Sequence, residues 1–270
     1  VMKKFAVIGS PISHSLSPKI HSLFAEQAEI QISYEAIDII ENDFDSKVKL
    51  LFEDGYSGLN VTLPLKEKAF HYADKKSDGA LLAESVNTLF LDDSRVCGET
   101  TDGQGLLLDL ESKGIELEGS NVIILGAGGS ARSVIPSLLS CNINSLSIAN
   151  RTPEKAAKLV NIHKQKNPEI NLIEIDEKID AEIDLVINST SAGTLGEEMT
   201  IPEGIFGLKT KSYDLSYSKD ETPFNMMAKK SGIKEAHDGL GMLVNQAALS
   251  FEIWHNFKPD VSGIELLLRP

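Results

Sequence analysis

Short apolar runs rich in β-branched residues alternate with stretches of helical periodicity in the first third of the chain. We predict strands over Phe5–Ile8, Ile32–Ile39 and Leu59–Thr62, with helices from Pro18 and after Asn42 between them. This alternation is typical of βαβ units and of a largely parallel sheet.

A second series of alternating elements begins with a strand over Val122–Leu125, which runs directly into a glycine-rich turn and a helix. A strand ending at Ala149, a helix from Pro153 and strands over Asp184–Asn188 and Ser212–Leu215 follow. This order predicts a doubly wound, Rossmann-type nucleotide-binding domain.

The pattern changes after Gly239 to one long helix over Met242–Phe257 that no strand follows. A terminal helix without a sheet of its own must pack on another element, so we expect it to return to the first domain. The length of 270 residues favours two domains. We predict a two-domain α/β fold, with limits of 1–101 together with 240–270 for the first domain and 102–239 for the second.

Composition and charge narrow the class of partner. Hydrophobic residues make up 41% and charged residues 24%, which is typical of a globular protein. The 26 Lys and Arg against 40 Asp and Glu give a net charge of −14, which disfavours nucleic acid and anionic membranes as partners. Cys97 and Cys141 lack the spacing of a zinc site, so we expect no metal. With no secretory or membrane-spanning run, we expect a cytoplasmic protein.

The turn after the Val122–Leu125 strand matches the dinucleotide fingerprint as Gly126-x-Gly128-x-x-Ala131, between a strand and a helix as the fingerprint requires. Gly128 would let backbone N–H groups approach a pyrophosphate at the helix N-terminus. The alternative is a glycine turn that binds no ligand.

Asn150, Arg151 and Thr152 follow the next strand, where an NAD site would carry an acidic residue. The Arg151 guanidinium suits a 2′-phosphate, and Lys155 lies one helical turn beyond it. This pattern favours NADP over NAD, although the nearby carboxylate of Glu154 disfavours a doubly charged phosphate. Alternatively, Arg151 pairs with surface carboxylates.

Polar residues of the first domain follow predicted strands, where open α/β sheets bind ligands. Ser15 and Ser17 follow the first strand, and their hydroxyls suit a carboxylate or hydroxyl ligand, although Ser17 before Pro18 also suits a helix N-cap. Pro64 is predicted to open the helix that carries Lys66. In the first turn of a helix the dipole disfavours a cation, so the Lys66 ammonium would give up its proton more readily and could exchange it with a ligand. A solvated lysine is the alternative.

Two further polar residues have both a functional and a structural interpretation. Asp102 supplies a carboxylate at an element boundary, or caps the helix that follows it. Gln246 lies among apolar residues of the terminal helix, and its amide must find partners there. Those partners are a ligand or backbone carbonyls of the neighbouring domain.

Taken together, these motifs resemble the shikimate/quinate dehydrogenase family over essentially the whole length. They occur in the family's order, over Phe5–Pro18, Asn60–Lys66, Val86–Thr88, Thr101–Gly103, Gly126–Gly129, Asn150–Thr152 and Asp238–Val244. The resemblance implies NADPH-dependent, reversible reduction of 3-dehydroshikimate to shikimate, in the route to chorismate and the aromatic amino acids. It also implies a substrate domain followed by an NADP domain.

The resemblance further implies roles for individual residues. Lys66 and Asp102 would be catalytic. The substrate would be bound by Ser15, Ser17, Thr62, Asn87, Asp102, Tyr217 and Gln246. The cofactor would be bound by Asp78, Gly126, Ala127, Gly128, Gly129, Ser130, Ala131, Asn150, Arg151, Thr152, Lys155, Leu215 and Gly239. Many family members carry Arg at the position of Lys155, so the phosphate contact here is not bidentate.

Three other functions compete with this one. A quinate/shikimate dehydrogenase that uses NAD would accept one more hydroxyl on its substrate. A non-catalytic sensor would keep the fold and bind a shikimate-type ligand without turnover. A different Rossmann reductase would leave the N-terminal serine motif unexplained. For each the partner is a small molecule, and we expect a monomer or a homodimer.

Overall fold

The computed structural model describes residues 2–269 except 191, 193–195, 197 and 198. The chain divides into two compact units. The N-terminal unit consists of Val1–Leu108 and Met242–Pro270, and the central unit consists of Asp109–Gly241. The domain limits given above stay a prediction.

A mixed six-stranded sheet forms the centre of the N-terminal unit. Its strands, in chain order, are β1 (Lys3–Gly9), β2 (Ile32–Asp38), β3 (Tyr56–Val61), β4 (Lys75–Lys76), β5 (Thr88–Asp92) and β6 (Arg95–Glu99). They lie side by side in the order β2-β1-β3-β5-β6-β4. β1 is parallel to β2 and β3, whereas β5 is antiparallel to both β3 and β6. The three predicted strands are parallel to one another, as expected, whereas β5, which was not predicted, makes the sheet mixed.

Helices cover the sheet of the N-terminal unit. They are α1 (Ser17–Gln27), α2 (Phe44–Glu53), α3 (Lys66–Tyr72), α4 (Asp78–Ala83), α5 (Asp102–Ser112), α9 (Leu240–His255) and α10 (Ile264–Leu268), and a short 3-10 helix covers Glu41–Asp43. The core between sheet and helices includes the fully buried Ile8, Leu59 and Leu89. Trp254 of α9 stacks on Phe5 of β1 with ring centroids 4.8 Å apart. The long terminal helix thus packs on the first sheet.

Two helix starts differ from the prediction. Ser17 is the first residue of α1, and the N-cap is Leu16, which makes no side-chain cap. The interpretation of Ser17 as an N-cap is therefore wrong, because its side chain turns into the interior. Pro64 lies in the turn before α3, and the helix itself begins at Lys66.

The central unit is built on a parallel sheet of six strands. They are β7 (Asn121–Leu125), β8 (Ser145–Ala149), β9 (Ile170–Ile173), β10 (Leu185–Asn188), β11 (Lys211–Asp214) and β12 (Ala236–Asp238). The order β12-β11-β10-β7-β8-β9 reverses direction at β7, as in a doubly wound Rossmann fold. The helices of this unit are α6 (Gly129–Leu139), α7 (Pro153–His163) and α8 (Pro223–Lys230).

Among the helices of the described residues, none is long and apolar enough to cross a membrane. Within the same part of the chain, no group of three or more His, Cys, Asp or Glu side chains is arranged to hold a metal ion.

Candidate active site

The strand directions of the N-terminal unit bring several polar segments to one edge of its sheet. β1 and β3 are parallel, so the serine loop after Gly9 and the turn after Val61 start at the same edge. β5 is antiparallel to β3, so β5 starts at this edge, and Asn87, the residue directly before β5, lies there too. β6 reverses again and delivers Asp102 there. The antiparallel pair therefore brings Asn87 and Asp102 beside the turn that leads to Lys66.

A buried ion pair lies at this edge. The Lys66 Nζ donates to Asp102 Oδ2 over 2.7 Å, and the two residues are only 8% and 4% exposed. The other carboxylate oxygen, Oδ1, accepts from Asn87 Nδ2 over 3.1 Å. Both oxygens of Asp102 therefore have side-chain partners, and the ion pair is held in one orientation. This arrangement presents an ammonium group with a fixed direction, which suits proton transfer.

The terminal helix contributes Gln246 to the same group. Its Oε1 accepts from Asn87 Nδ2 over 3.1 Å, and its Nε2 donates to the carbonyl of Leu243 over 2.8 Å. Thr101 Oγ1 also bonds the backbone carbonyl of Gln246 over 3.0 Å. The Gln246 side-chain amide therefore has one side-chain partner, Asn87 at this edge of the sheet, and one backbone partner in its own helix.

Close packing holds α9 at this position. A Cβ added at Gly105 of α5 would lie 2.8 Å from both the Cβ and the backbone nitrogen of Gln246. Only a glycine lets the two helices approach so closely.

The serine loop leads into α1 at this edge. The Ser17 amide donates to Ser15 Oγ over 3.3 Å, and the buried Ser17 hydroxyl bonds the phenol of Tyr34. Thr62 directly follows β3, and its amide donates to the carbonyl of Ile8 over 2.9 Å. Ser15, Ser17 and Thr62 thus lie in segments that follow the carboxyl ends of β1 and β3.

In the central unit, a glycine turn joins β7 to α6. Gly126 has a φ of +106°, a conformation that L side chains rarely adopt. Gly128 is the N-cap of α6, has no atom within 4 Å of an added Cβ, and makes no side-chain cap. No acidic residue lies in the first turn. Open space beside the orphan N–H groups of an 11-residue helix fits the pyrophosphate of a dinucleotide.

The end of β8 carries the residues expected to contact a 2′-phosphate. Asn150 Nδ2 donates to the carbonyl of Thr152, the N-cap of α7, over 2.9 Å. Arg151, Thr152 and Lys155 are all exposed. An exposed guanidinium and ammonium at a strand end can reach an anionic group of a ligand on this edge.

Comparison with known proteins identifies the family. The chain matches the models described as "Shikimate dehydrogenase substrate binding domain" over residues 7–89 and "Shikimate / quinate 5-dehydrogenase" over residues 109–199. It also matches "Shikimate 5'-dehydrogenase C-terminal domain" over residues 239–265. The chain belongs to the shikimate dehydrogenase family.

Relatives of this shikimate dehydrogenase family member match over nearly their whole length. A shikimate dehydrogenase (NADP(+)) from Psychromonas ingrahamii is 45% identical over 99% of this chain and 98% of its own. One from Shewanella woodyi is 44% identical over 98% of this chain and 97% of its own. A crystal structure of shikimate 5-dehydrogenase from Thermus thermophilus in complex with NADP(H) and shikimate superposes with a TM-score of 0.87. It is 33% identical and covers 99% of both chains.

The remaining residues that the family resemblance assigns lie in two places. Leu215 and Tyr217 follow β11 in the central unit, and a side chain at Gly239 would collide with the backbone of Leu215. Asp78 lies exposed in the first turn of α4 in the N-terminal unit. Of the residues assigned to the cofactor, Asp78 is the one that lies outside the central unit.

Sequence reasoning assigned no role to several polar residues that form buried or half-buried hydrogen bonds. Asp214 at the end of β11 accepts from Asn188 Nδ2 over 2.9 Å and from the amide of Ser216 over 3.1 Å. Burial raises the pKa of the Asp214 carboxyl, while its hydrogen bonds oppose that shift. The residues missed in the N-terminal unit are Tyr34, Asn60, Thr88 and Ser250. The available signal was a polar residue inside an otherwise apolar strand or helix face.

Proposed function

We propose that this chain catalyses the reversible, NADP-dependent oxidation of shikimate to 3-dehydroshikimate. The observation that carries the proposal is the buried Lys66–Asp102 pair, with Asn87 on its second carboxylate oxygen. Membership of the shikimate dehydrogenase family and the NADP(+)-dependent relatives support it.

In this proposal Lys66 exchanges a proton with the substrate oxygen at C3. During reduction the ammonium donates its proton to that oxygen as negative charge develops there, and during oxidation the amine accepts the hydroxyl proton. Asp102 fixes the direction of Lys66 Nζ over 2.7 Å and offers its carboxylate to the same hydroxyl. Burial of both residues excludes water, which strengthens their interaction with the developing charge.

The substrate would be held by the polar groups at the same sheet edge. Ser15, Ser17 and Thr62 offer hydroxyls that suit a carboxylate or ring hydroxyls, and Asn87 and Gln246 offer amides. Tyr217, which follows β11, is a further proposed substrate contact. The partner is thus a small molecule, and we expect the protein to act on it as a monomer or a homodimer.

The cofactor would be held by the central unit and supplies hydride exchange when bound. The glycine turn and the start of α6 would bind its pyrophosphate through Gly126, Ala127, Gly128, Gly129, Ser130 and Ala131. The adenosine part of the cofactor, with its 2′-phosphate, would be contacted by Asn150, Arg151, Thr152 and Lys155. The nicotinamide would be contacted by Leu215 and Gly239. Asp78, in the first turn of α4, is a further proposed cofactor contact.

Initial rates of shikimate oxidation with NADP+ and with NAD+, followed by absorbance of the reduced nicotinamide, test this function. We expect turnover with shikimate, preference for NADP+, and little turnover with quinate in its place. Faster turnover with quinate and NAD+ would replace this function with the quinate-oxidising alternative. Shikimate binding in calorimetry without any turnover would indicate a sensor.

A further inference from the structure

A series of hydrogen bonds runs through the N-terminal unit from Ser17 to the Lys66–Asp102 pair; its bonds from Asn60 onward are buried, and the bond between Tyr34 and Asn60 is half-buried. Tyr34 Oη bonds Asn60 Oδ1 over 2.7 Å, and Asn60 Nδ2 bonds Ser250 Oγ over 2.9 Å. Ser250 Oγ lies 2.7 Å from Thr88 Oγ1, which lies 3.0 Å from Asn87 Oδ1. We call Tyr34, Asn60, Ser250 and Thr88 the hydroxyl–amide chain.

The neighbouring backbone groups determine how both amides are oriented. The Thr101 N–H can only donate, and it lies 2.9 Å from Asn87, so the atom that faces it is Oδ1. A backbone carbonyl can only accept, and that of Asn87 lies 3.3 Å from Asn60, so the atom that faces it is Nδ2.

These orientations fix the direction of the bonds that the two amides make. The hydroxyls of Thr88 and Ser250 share one bond, in which either donates: Thr88 Oγ1 also lies 3.0 Å from the acceptor Asn87 Oδ1, and Ser250 Oγ also lies 3.1 Å from the carbonyl of Gln246. Asn60 donates to Ser250, and Tyr34 donates to Asn60. The phenol oxygen of Tyr34 is then left to accept from the Ser17 hydroxyl. Hydrogen bonds joined in such a series polarise and strengthen one another in a low-dielectric interior.

The hydroxyl–amide chain connects two residues of the proposed substrate site. Ser17 is at one end, and Asn87, whose Nδ2 bonds Asp102 and Gln246, is at the other. Ser250 is fully buried at the centre and connects strand residues to the terminal helix.

We propose that the hydroxyl–amide chain is a positioning device, in which Ser250 and Tyr34 hold the Asn87 amide and the Ser17 hydroxyl in the orientations that shikimate requires. This inference rests on the proposed function. It adds to that function two residues that do not touch the reacting atoms and act through Asn87 and Ser17.

Ser250→Ala and Ser250→Thr separate positioning from a purely structural role. Ser250→Ala removes the hydroxyl, whereas Ser250→Thr keeps the hydroxyl but adds a methyl group to a fully packed site, which lowers Tm. We expect Ser250→Ala to lower kcat/KM for shikimate by about 3- to 10-fold, as for loss of one neutral hydrogen bond. KM for NADP+ should not change. Ser250→Thr should keep wild-type kcat/KM although its Tm falls.

Ser85→Ala is the matched control. Ser85 is fully buried in the same unit, and its hydroxyl has no hydrogen-bond partner among the described residues. Its removal should leave kcat/KM unchanged.

Tyr34→Phe provides an independent test, because it breaks the chain on the other side of Asn60 with no change of backbone or core volume. It should lower kcat/KM for shikimate, and the double variant with Ser250→Ala should lose no more than the larger single loss. Multiplying losses, unchanged kcat/KM in both single variants, or an equal loss in Ser85→Ala would each overturn the inference.

Failure of the proposed function can be distinguished from failure of this inference. A wild-type protein that binds shikimate without oxidising it would overturn the proposed function, and the shikimate Kd of the same variants would then decide the inference. A wild-type protein that does not bind shikimate would overturn both.

Discussion

Lys66 is the residue on which the proposed chemistry depends most directly. Replacing it by Met removes the proton that the substrate oxygen exchanges and keeps much of the side-chain volume. Because proton transfer belongs to the transition state, we expect kcat to fall by about 100-fold or more while KM for shikimate changes little. Steady-state kinetics with NADP+ measure both. Lys68→Met on the same helix is the control, and normal kcat in Lys66→Met would remove Lys66 from the mechanism.

Arg151 is the residue proposed to distinguish the two nicotinamide cofactors. Arg151→Ala removes the guanidinium at the strand end, and only NADP+ carries the 2′-phosphate that it would bind. We expect KM for NADP+ to rise about 10- to 150-fold more than KM for NAD+, as for charge-assisted bonds. Lys158→Ala, an equal change of charge on an exposed side chain of α7, should affect neither. Equal losses with both cofactors would show that Arg151 has a structural role.

At the scale of elements, the crossing of α5 and α9 determines where Gln246 lies. A methyl group at Gly105 would meet Gln246 at 2.8 Å, so Gly105→Ala must displace α9 or strain α5. We expect about 1–3 kcal/mol of lost stability, as for other overpacked sites, and a higher KM for shikimate. KM for NADP+ should stay as it is, because the proposed cofactor residues are on other elements.

Gly79→Ala is the control for this experiment. Gly79 lies in a helix of the same unit, and the nearest atom to its added Cβ is 3.6 Å away. Thermal unfolding and shikimate kinetics are measured for both variants. An unchanged KM for shikimate in Gly105→Ala, together with a lower Tm, would show that this crossing serves stability alone.

At the scale of the whole molecule, a buried histidine makes stability depend on pH. His21 of α1 is 0% exposed, and its ring stacks on Tyr34 with centroids 4.1 Å apart. Burial, and next the nearby charge of His255, lower the pKa of His21 to about 3. Burial also lowers the pKa of His255, to about 4. The folded chain therefore keeps His21 neutral at pH values where the unfolded chain protonates it.

The resulting stability is complete above pH 6.5, the ordinary pKa of histidine, and is lost as pH falls toward 3. We expect His21 to account for a loss of about 1.4 kcal/mol per pH unit over this range. His21→Phe should flatten the slope by that amount. Urea unfolding between pH 7.5 and pH 4.5, followed by the fluorescence of Trp254, measures it. Exposed His71→Phe should keep the wild-type slope, and an identical slope in His21→Phe would contradict the assignment.

Much of the fold and part of the candidate site follow from local sequence pattern. Short apolar runs rich in β-branched residues and helical stripes predicted β1, β2, β3 and the parallel strands near the glycine turn, because both patterns depend only on the local sequence. The fingerprint from Gly126 to Ala131 and the basic residues after β8 could be located for the same reason. Each is a contiguous segment whose chemistry depends on one turn.

The antiparallel pairing of β5 and β6, the helical start at Ser17 and the hydroxyl–amide chain could be decided only by the tertiary structure. The bond between Asn60 and Ser250 joins residues 190 positions apart, and that between Asn87 and Gln246 joins residues 159 apart. Strand direction and buried hydrogen-bond partners are determined by which distant segments pack together, and no local periodicity records that choice. The sequence by itself therefore determined the local elements and predicted which residues carry the chemistry, and the packing of α9 on a mixed sheet decided which polar residues meet.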